Sequence, residues 1–454
     1  MLQGMTTLSA ASGLDPAGIV PRVPFAAFRR RLAARLRDPA VGLGTVVVVA
    51  AALSCLVAIR TPAWEANDEP DHMMNIQKLV DGEWYRIAPN TGYAPHQPPG
   101  YYLLVAGVQR LIGQDAFVIA PQQGDGDVAN GQFGHAEPQE SRDRRRLLPL
   151  RLLSVVLGAL TILLTSRVAR RLGASDWTSV AAAATVAFVP RFVFSSSFVN
   201  NDSLATALGA VSTLLLVRVW QGDHLNVRRA WRLPTLLGLA LGALAATKLI
   251  ALPMIAFVGV VALWRLRREP RLAAALVVSA MLLSMPVFVS NQIRYGDPIA
   301  SKASVEYFRS WIPALVLQIH TTDWLVKAVG SGFLTSFWYT SGWNQFRWRG
   351  MTYVPLWSLA AIGSLGNLRR RHHDRGTVVC LLLFVSAAAS VWVLAWNTTQ
   401  FQARLAFPGL AALGSVIAMG WQRWGAPKWL AFVLPLLGFI GTVYAINTDI
   451  LNRY

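Results

Sequence analysis

The chain has 454 residues, of which 54% are hydrophobic and 14% charged, and a formal net charge of +19. Soluble proteins carry roughly a quarter of their residues as charges, so a soluble enzyme of about three globular domains is excluded. The basic excess does not read as a nucleic-acid surface either. The arginines stand in clusters between apolar runs, where they set topology, and no basic face alternates with stacking aromatics.

Runs long enough to cross about 30 Å of hydrocarbon are Leu43 to Ile59, Leu147 to Val168, Trp177 to Ser197, Ser203 to Trp220, Leu272 to Ser290, Val378 to Trp396, Leu405 to Trp421 and Trp429 to Ile446. Tyr353 to Leu368 is a shorter candidate. Leu233 to Trp264 is flanked by Arg228, Arg229 and Arg232 on one side and Arg265, Arg267 and Arg268 on the other. Both clusters belong on the cytoplasmic side, so this stretch is expected to be a hairpin turning near Lys248. The expected fold is an all-α polytopic membrane protein of about eleven spans. Cys55 and Cys380 fall near opposite faces and are not expected to form a disulfide.

About forty residues precede the first run and end in Arg29, Arg30, Arg31, Arg35 and Arg37. They read as a cytoplasmic basic segment, 1–42, ahead of an uncleaved anchor, with residues 43–454 as one transmembrane domain. The apolar core of Pro98 to Gly113 is too short to span and is expected to lie flat at the interface. The first extracytoplasmic loop then covers 60–146, with Gln114 to Arg146 irregular, and a larger loop covers 291–352. The cost of this topology is an extracytoplasmic cluster of Arg142, Arg144, Arg145, Arg146 and Arg151, against the positive-inside tendency.

Chemistry concentrates on the extracytoplasmic side. Glu65, Asp68, Glu69, Asp71 and His72 crowd together just after the first span, and His96 and Gln97 precede the interfacial segment with its Tyr101. Asn200, Asn201 and Asp202 form a minimal turn between two apolar helices. Asp and Asn at these places also serve as helix caps, but the topology brings Asp68 and Asp202 to one face. Lys248, Arg294 and Arg404 are cations at outer helix ends, placed either to bind phosphate or to snorkel, and Arg294 has Asp297 within reach as a partner. Trp311, Trp324, Trp338, Trp343 and Trp348 read mainly as interfacial belt residues, a few free to stack on a sugar. Asp68, Glu69, His72 and His96 lack a fixed metal-ligand spacing, so a divalent cation is only an open alternative.

Taken in order, Asn67-Asp68-Glu69-Pro70-Asp71-His72, His96-Gln97-Pro98-Pro99-Gly100-Tyr101-Tyr102, Asn200-Asn201-Asp202-Ser203, Thr247-Lys248, Tyr295-Gly296-Asp297-Pro298, Ser336-Phe337-Trp338 with Gly342-Trp343, and Gln402-Ala403-Arg404 resemble the GT-C superfamily. These are multispanning, polyprenyl-phosphate-sugar-dependent glycosyltransferases. The likeness is to the bacterial branch related to protein mannosyltransferase-like and aminoarabinose transferase-like enzymes, and it runs from about Ala50 to about Gly420. It implies a first-loop acid as base, a second acid in the next outer loop, and cations on the donor phosphate. On that basis Asp68, Glu69 and Asp202 are the expected catalytic residues. His72, His96, Gln97, Tyr101, Asn201, Lys248, Arg294, Trp343 and Arg404 are the expected substrate-binding residues.

The sequence shows neither the extra soluble domain of the protein O-mannosyltransferase-like branch nor the tripeptide-recognition motif of oligosaccharyltransferases, so the acceptor is open among lipid, glycan and protein. The expected location is the inner (plasma) membrane, with the site extracytoplasmic. The expected partners are a polyprenyl-phosphate-linked sugar and membrane lipids, with no nucleic acid and no certain cofactor. The rival reading is a flippase or permease for lipid-linked sugars or small solutes. That class places its ionisable groups near the midplane, whereas here they gather at one face.

Overall fold

The structure, a computed structural model, describes residues 37–454 except 67, 88–95, 115–116, 118–136, 224–229, 312–320, 328–331, 342–345, 349–350, 370–374, 398–400 and 453–454. Its helices are α1 (Pro39–Arg60), α2 (Glu69–Val80), α3 (Gly100–Leu111), α4 (Glu137–Arg171), α5 (Asp176–Ala187), α6 (Pro190–Ser195), α7 (Asn201–Gln221), α8 (Arg232–Thr247), α9 (Leu252–Arg265) and α10 (Pro270–Tyr295). Then follow α11 (Ser301–Trp311), α12 (Thr322–Lys327), α13 (Leu334–Trp338), α14 (Tyr353–Leu365), α15 (Arg375–Asn397), α16 (Leu410–Arg423) and α17 (Val433–Ile446). A two-residue antiparallel ladder pairs β1 (Thr340–Ser341) with β2 (Phe346–Arg347).

Among the described residues, seven segments are both long and apolar enough to cross a membrane: Pro39–Arg60, Arg142–Arg171, Asn201–Gln221, Pro270–Tyr295, Arg375–Trp396, Ala403–Arg423 and Lys428–Leu451. The remaining expected spans are shorter or broken. Trp177 to Ser197 splits into α5 and α6 at Phe188 and Val189, because Pro190 opens α6 and disfavours helix in the residue before it. Leu233 to Trp264 is a hairpin of α8 and α9 with Lys248 between them. Its two arms run in opposite senses, since Arg265 at the end of α9 donates to the carbonyl of Trp220 at the end of α7, far from Lys248. α14 is 13 residues long.

α3 has 12 residues, about 18 Å at 1.5 Å each, well short of a bilayer core, which accords with an interfacial helix. Within 114–146 the backbone is helical from Glu137 onward, so α4 projects beyond its apolar part instead of following an irregular loop throughout. Both cysteines are free.

The bundle packs through small residues, as membrane helices do when no hydrophobic drive separates protein from lipid. α16 is buried along almost its whole length. Gly209 of α7 lies so close to the turn Ala403–Gly409 that an added Cβ would stand 2.1 Å from the Pro408 carbonyl oxygen. Gly100 likewise lets the start of α3 approach the end of α8, where a Cβ would meet the Ala246 carbonyl oxygen at 2.6 Å. These contacts fix the helix ends that carry the polar residues. Trp324 and Trp338 are buried within the protein and are not belt residues; the Trp324 indole donates to the Ala395 carbonyl at 2.7 Å.

Candidate active site

The end of α1, the start of α2, the start of α7, the α8–α9 turn and the turn Ala403–Gly409 converge at one end of the bundle. Pro70 at the first turn starts α2, and Glu69 and Asp71 there suit the positive end of its dipole. Asp68 precedes the helix in a left-handed conformation, φ 62°, and its side chain makes no capping bond. The carboxylate is therefore left for Arg404, with which it is paired, and it keeps 30% side-chain exposure.

At the second acid, the cap is Asn200, whose side chain accepts from the Ser203 amide at 3.2 Å. Capping is thus done one residue early, and Asn201 and Asp202 are freed for other partners. Asp202 pairs with the Lys248 ammonium and, through its other oxygen, forms an ion pair with Arg404 Nη1 at 3.2 Å. The result is a buried chain of alternating charge, Asp68–Arg404–Asp202–Lys248. Lys248 owes its place to the break between α8 and α9, where its backbone is extended at φ −157° and ψ 103°.

A neutral wall flanks this chain. Asn201 Nδ2 donates to Gln97 Oε1 at 2.9 Å, and Gln97 Nε2 and His96 Nε2 are 2.9 Å apart. Lys248 Nζ also lies 3.4 Å from Asn201 Oδ1. The His96 ring tilts against Tyr307, with centroids 5.2 Å apart. His72 Nδ1 lies 2.8 Å from the Tyr102 hydroxyl. Burial lowers both imidazoles, to about 4 for His72 and about 3 for His96, so both are neutral at physiological pH. Burial alone would raise Asp68, but the Arg404 guanidinium outweighs it and holds that carboxyl below its usual range. Asp71, buried and next to Asp68, is pushed well above its usual range.

Three expected site residues, Glu69, Tyr101 and Arg294, fall elsewhere. Glu69 is fully buried and turned away from the chain of charges: Arg151 Nε and Nη2 donate to its two oxygens at 2.9 and 2.5 Å, and the Val199 amide donates at 3.0 Å. These three donors occupy its carboxylate, so Glu69 fastens the start of α2 to α4 and to the segment before α7. Arg151 in turn donates to the carbonyls of Ala58, Thr61 and Pro62 at the end of α1. One member of the anomalous basic cluster is thus an internal counter-ion, not a topology signal. Tyr101 is fully buried in the small core under the first loop, edge-on to Tyr102.

Arg294 lies exposed on the rim, over the Trp84 ring at 5.7 Å and 3.4 Å from the Tyr85 carbonyl. It is not paired with Asp297, which instead accepts from the Ile299 and Ser301 amides and the Ser301 hydroxyl. Trp343 lies outside the described residues.

The sequence reading passed over Arg191 of α6, which is buried and bonded to Gln402 and to the Thr340 carbonyl. The signal was present: a lone arginine inside an apolar run is costly and needs a reason. Among the described residues no group of three or more His, Cys, Asp or Glu side chains is placed to hold a metal ion.

A family model described as dolichyl-phosphate-mannose-protein mannosyltransferase matches residues 126–294. No curated protein matches. Among solved structures, ArnT from Cupriavidus metallidurans bound to undecaprenyl phosphate is similar over 91% of this chain and 74% of its own, at 14% identity and a TM-score of 0.51. Apo ArnT is similar over 86% and 62%, at 14% identity and 0.51. The apo oligosaccharyltransferase of Archaeoglobus fulgidus matches 89% of this chain at 14% identity and a TM-score of 0.47; the chain spans 55% of that protein's length. At such identity the likeness to ArnT is one of fold, and the family model covers residues 126–294 alone.

Proposed function

We propose that this chain is a membrane glycosyltransferase that moves a sugar from a polyprenyl-phosphate donor to an acceptor hydroxyl, with inversion at the anomeric carbon. The observation that carries the reading is the chain of charges at one end of the bundle, which sets a partly open carboxylate beside two buried cations. Transfer forms a bond from the acceptor oxygen to the anomeric carbon and breaks the bond from that carbon to the phosphate oxygen.

Asp68 takes the acceptor proton in the transition state, since a hydroxyl is a weak nucleophile until that proton leaves. The electron pair of the breaking bond goes to the lipid phosphate, where Lys248 and Arg404 stabilise the growing charge. Asp202 orients both cations through its two oxygens. Asn201, Gln97 and His96 offer neutral hydrogen-bonding groups to the sugar. The cations of Lys248 and Arg404 already match the carboxylates of Asp68 and Asp202, so no divalent ion is assigned a step.

Support for the side of the membrane comes from the opposite end of the bundle, where Arg170, Arg171, Arg218, Arg265, Arg267, Arg369 and Arg423 collect. Such an end belongs in the cytoplasm, which supports an extracytoplasmic site in the inner membrane. The acceptor is a lipid, glycan or protein of the envelope.

The test is release of polyprenyl phosphate from a panel of polyprenyl-phosphate sugars by the purified chain and its Asp68→Asn variant. The expected loss is a hundredfold or more in the folded variant, the scale of a general base. Equal turnover by both would remove Asp68 as base. Donor translocation in liposomes without release would replace the transferase with a transporter.

A further inference from the structure

Arg191 is left unused by this mechanism. It lies at the site end of the bundle on α6, and only 4% of the residue is exposed. Its Nη2 donates to Gln402 Oε1 at 3.0 Å and its Nη1 to the Thr340 carbonyl, and both partners are neutral. Its Nε has no hydrogen-bond partner among the described residues. The charges that act on it are those of Arg404, Asp202 and Asp68. Both carboxylates are already taken, Asp202 by Lys248 and Arg404, and Asp68 by Arg404.

Of the three cations Arg191, Lys248 and Arg404, Arg191 is the one that Asp68 and Asp202 leave without a paired carboxylate. Hydrogen bonding alone does not account for a guanidinium here. A clip that fastens Gln402 and Thr340 to α6 needs two donors, which a neutral amide provides, whereas a buried cation without a counter-ion carries a large desolvation penalty. Two guanidinia, Arg191 and Arg404, also repel one another until an anion joins them.

We propose that Arg191 is an anion-binding residue of this site, which together with Arg404 holds the phosphate of the lipid-linked donor and of the lipid phosphate released from it. The proposal rests on the transferase reading and adds the residue whose charge the resting site leaves unmatched. A polyprenyl-phosphate sugar is a monoanionic diester and supplies the anion that Arg191 lacks. The fork of the guanidinium also gives Arg191 two directed donors, where Lys248 gives a point charge. Gln402 places these donors two residues ahead of Arg404, so both guanidinia come from, or are fastened to, the same turn.

The experiment measures binding of undecaprenyl phosphate, with undecaprenol as the uncharged control, to the detergent-solubilised full chain and to Arg191→Gln and Arg191→Lys. Thermal melts with and without lipid are followed beside direct titration. The parent is expected to bind the phosphate and not the alcohol. Arg191→Gln is expected to melt near the parent without lipid and to bind the phosphate at least tenfold more weakly, and Arg191→Lys is expected to recover part of the loss.

Parent-like binding by a folded Arg191→Gln overturns the role of Arg191 and leaves the transferase reading intact. A low unliganded melt with parent-like binding in Arg191→Gln or Arg191→Lys makes Arg191 a clip and overturns the proposal. Equal affinity of the parent for phosphate and alcohol removes the phosphate-binding reading, and the proposal falls with it.

Discussion

Replacing Glu69 by Gln is the perturbation that best separates fastening from catalysis. Glu69 and Arg151 are both fully buried, joined by two hydrogen bonds of 2.9 and 2.5 Å. Gln keeps the shape but removes the charge, and turns one acceptor into an amino group that faces the guanidinium. Removing one partner of a buried ion pair costs about 3–5 kcal/mol. Glu69→Gln belongs near the lower end, because three carbonyls at the negative end of α1 still surround Arg151. Arg151→Gln belongs near the upper end, since it leaves a buried carboxylate with one backbone donor, from Val199. The double variant should cost less than the sum by at least about 1 kcal/mol, as contacting partners couple. Melts followed by intrinsic tryptophan fluorescence in detergent, beside turnover normalised to folded protein, check this. A Glu69→Gln variant that melts like the parent yet has lost turnover would refute the reasoning and return Glu69 to the chemistry.

Acid should destabilise the protein through its buried imidazoles. His72 and His96 titrate near 4 and 3 when folded and near 6.5 when unfolded, so the unfolded chain binds more protons over that interval. Stability is then full above about pH 6.5 and falls toward pH 4, by about 3 kcal/mol for His72 alone. Melts of His72→Gln across this range should fall less steeply, with Asp71 opposing the imidazoles because its raised carboxyl holds a proton in the folded chain; an unchanged slope counts against the assignment. Gly209→Ala drives a Cβ into the Pro408 carbonyl and should cost about 1–3 kcal/mol as overpacking does. Turnover should fall with it, because that carbonyl belongs to the turn that carries Arg404; a neutral result in melt and turnover would mean that α7 and the turn are not in contact. Chelation with EDTA is expected to leave turnover unchanged, since Lys248 and Arg404 already neutralise the two carboxylates; loss restored by added Mn²⁺ would reverse that expectation.

Asp68, Asp202, Lys248 and Arg404 were legible in the sequence because an ionisable side chain at the edge of an apolar run needs a partner, and the alternation of runs says which edges meet. The hairpin at Lys248 was legible from the basic clusters that flank it. Glu69 was not, because its partner Arg151 is 82 residues away and looks in sequence like one more member of an arginine cluster. The break before Pro190 lay within a run whose hydropathy is continuous, so length alone made it one helix. Arg191 follows that proline and was absorbed into the same run. Tyr101 was grouped with its neighbours by motif, and only packing shows that it faces the core beneath the loop.

The left-handed backbone at Asp68 restricts which side chains position 68 can hold. Apart from glycine, Asn and Asp enter that region with least penalty, and other L-residues lose about 1–2 kcal/mol there. Glutamate at 68 would therefore bring the same functional group on a disfavoured backbone as well as a longer arm. Glycine would relax the turn while deleting the carboxylate, so the most comfortable residue at this position is also one without the proposed base. Alanine scanning would misread the position by mixing backbone strain with lost chemistry, and Asp68→Asn is the substitution that keeps the two apart.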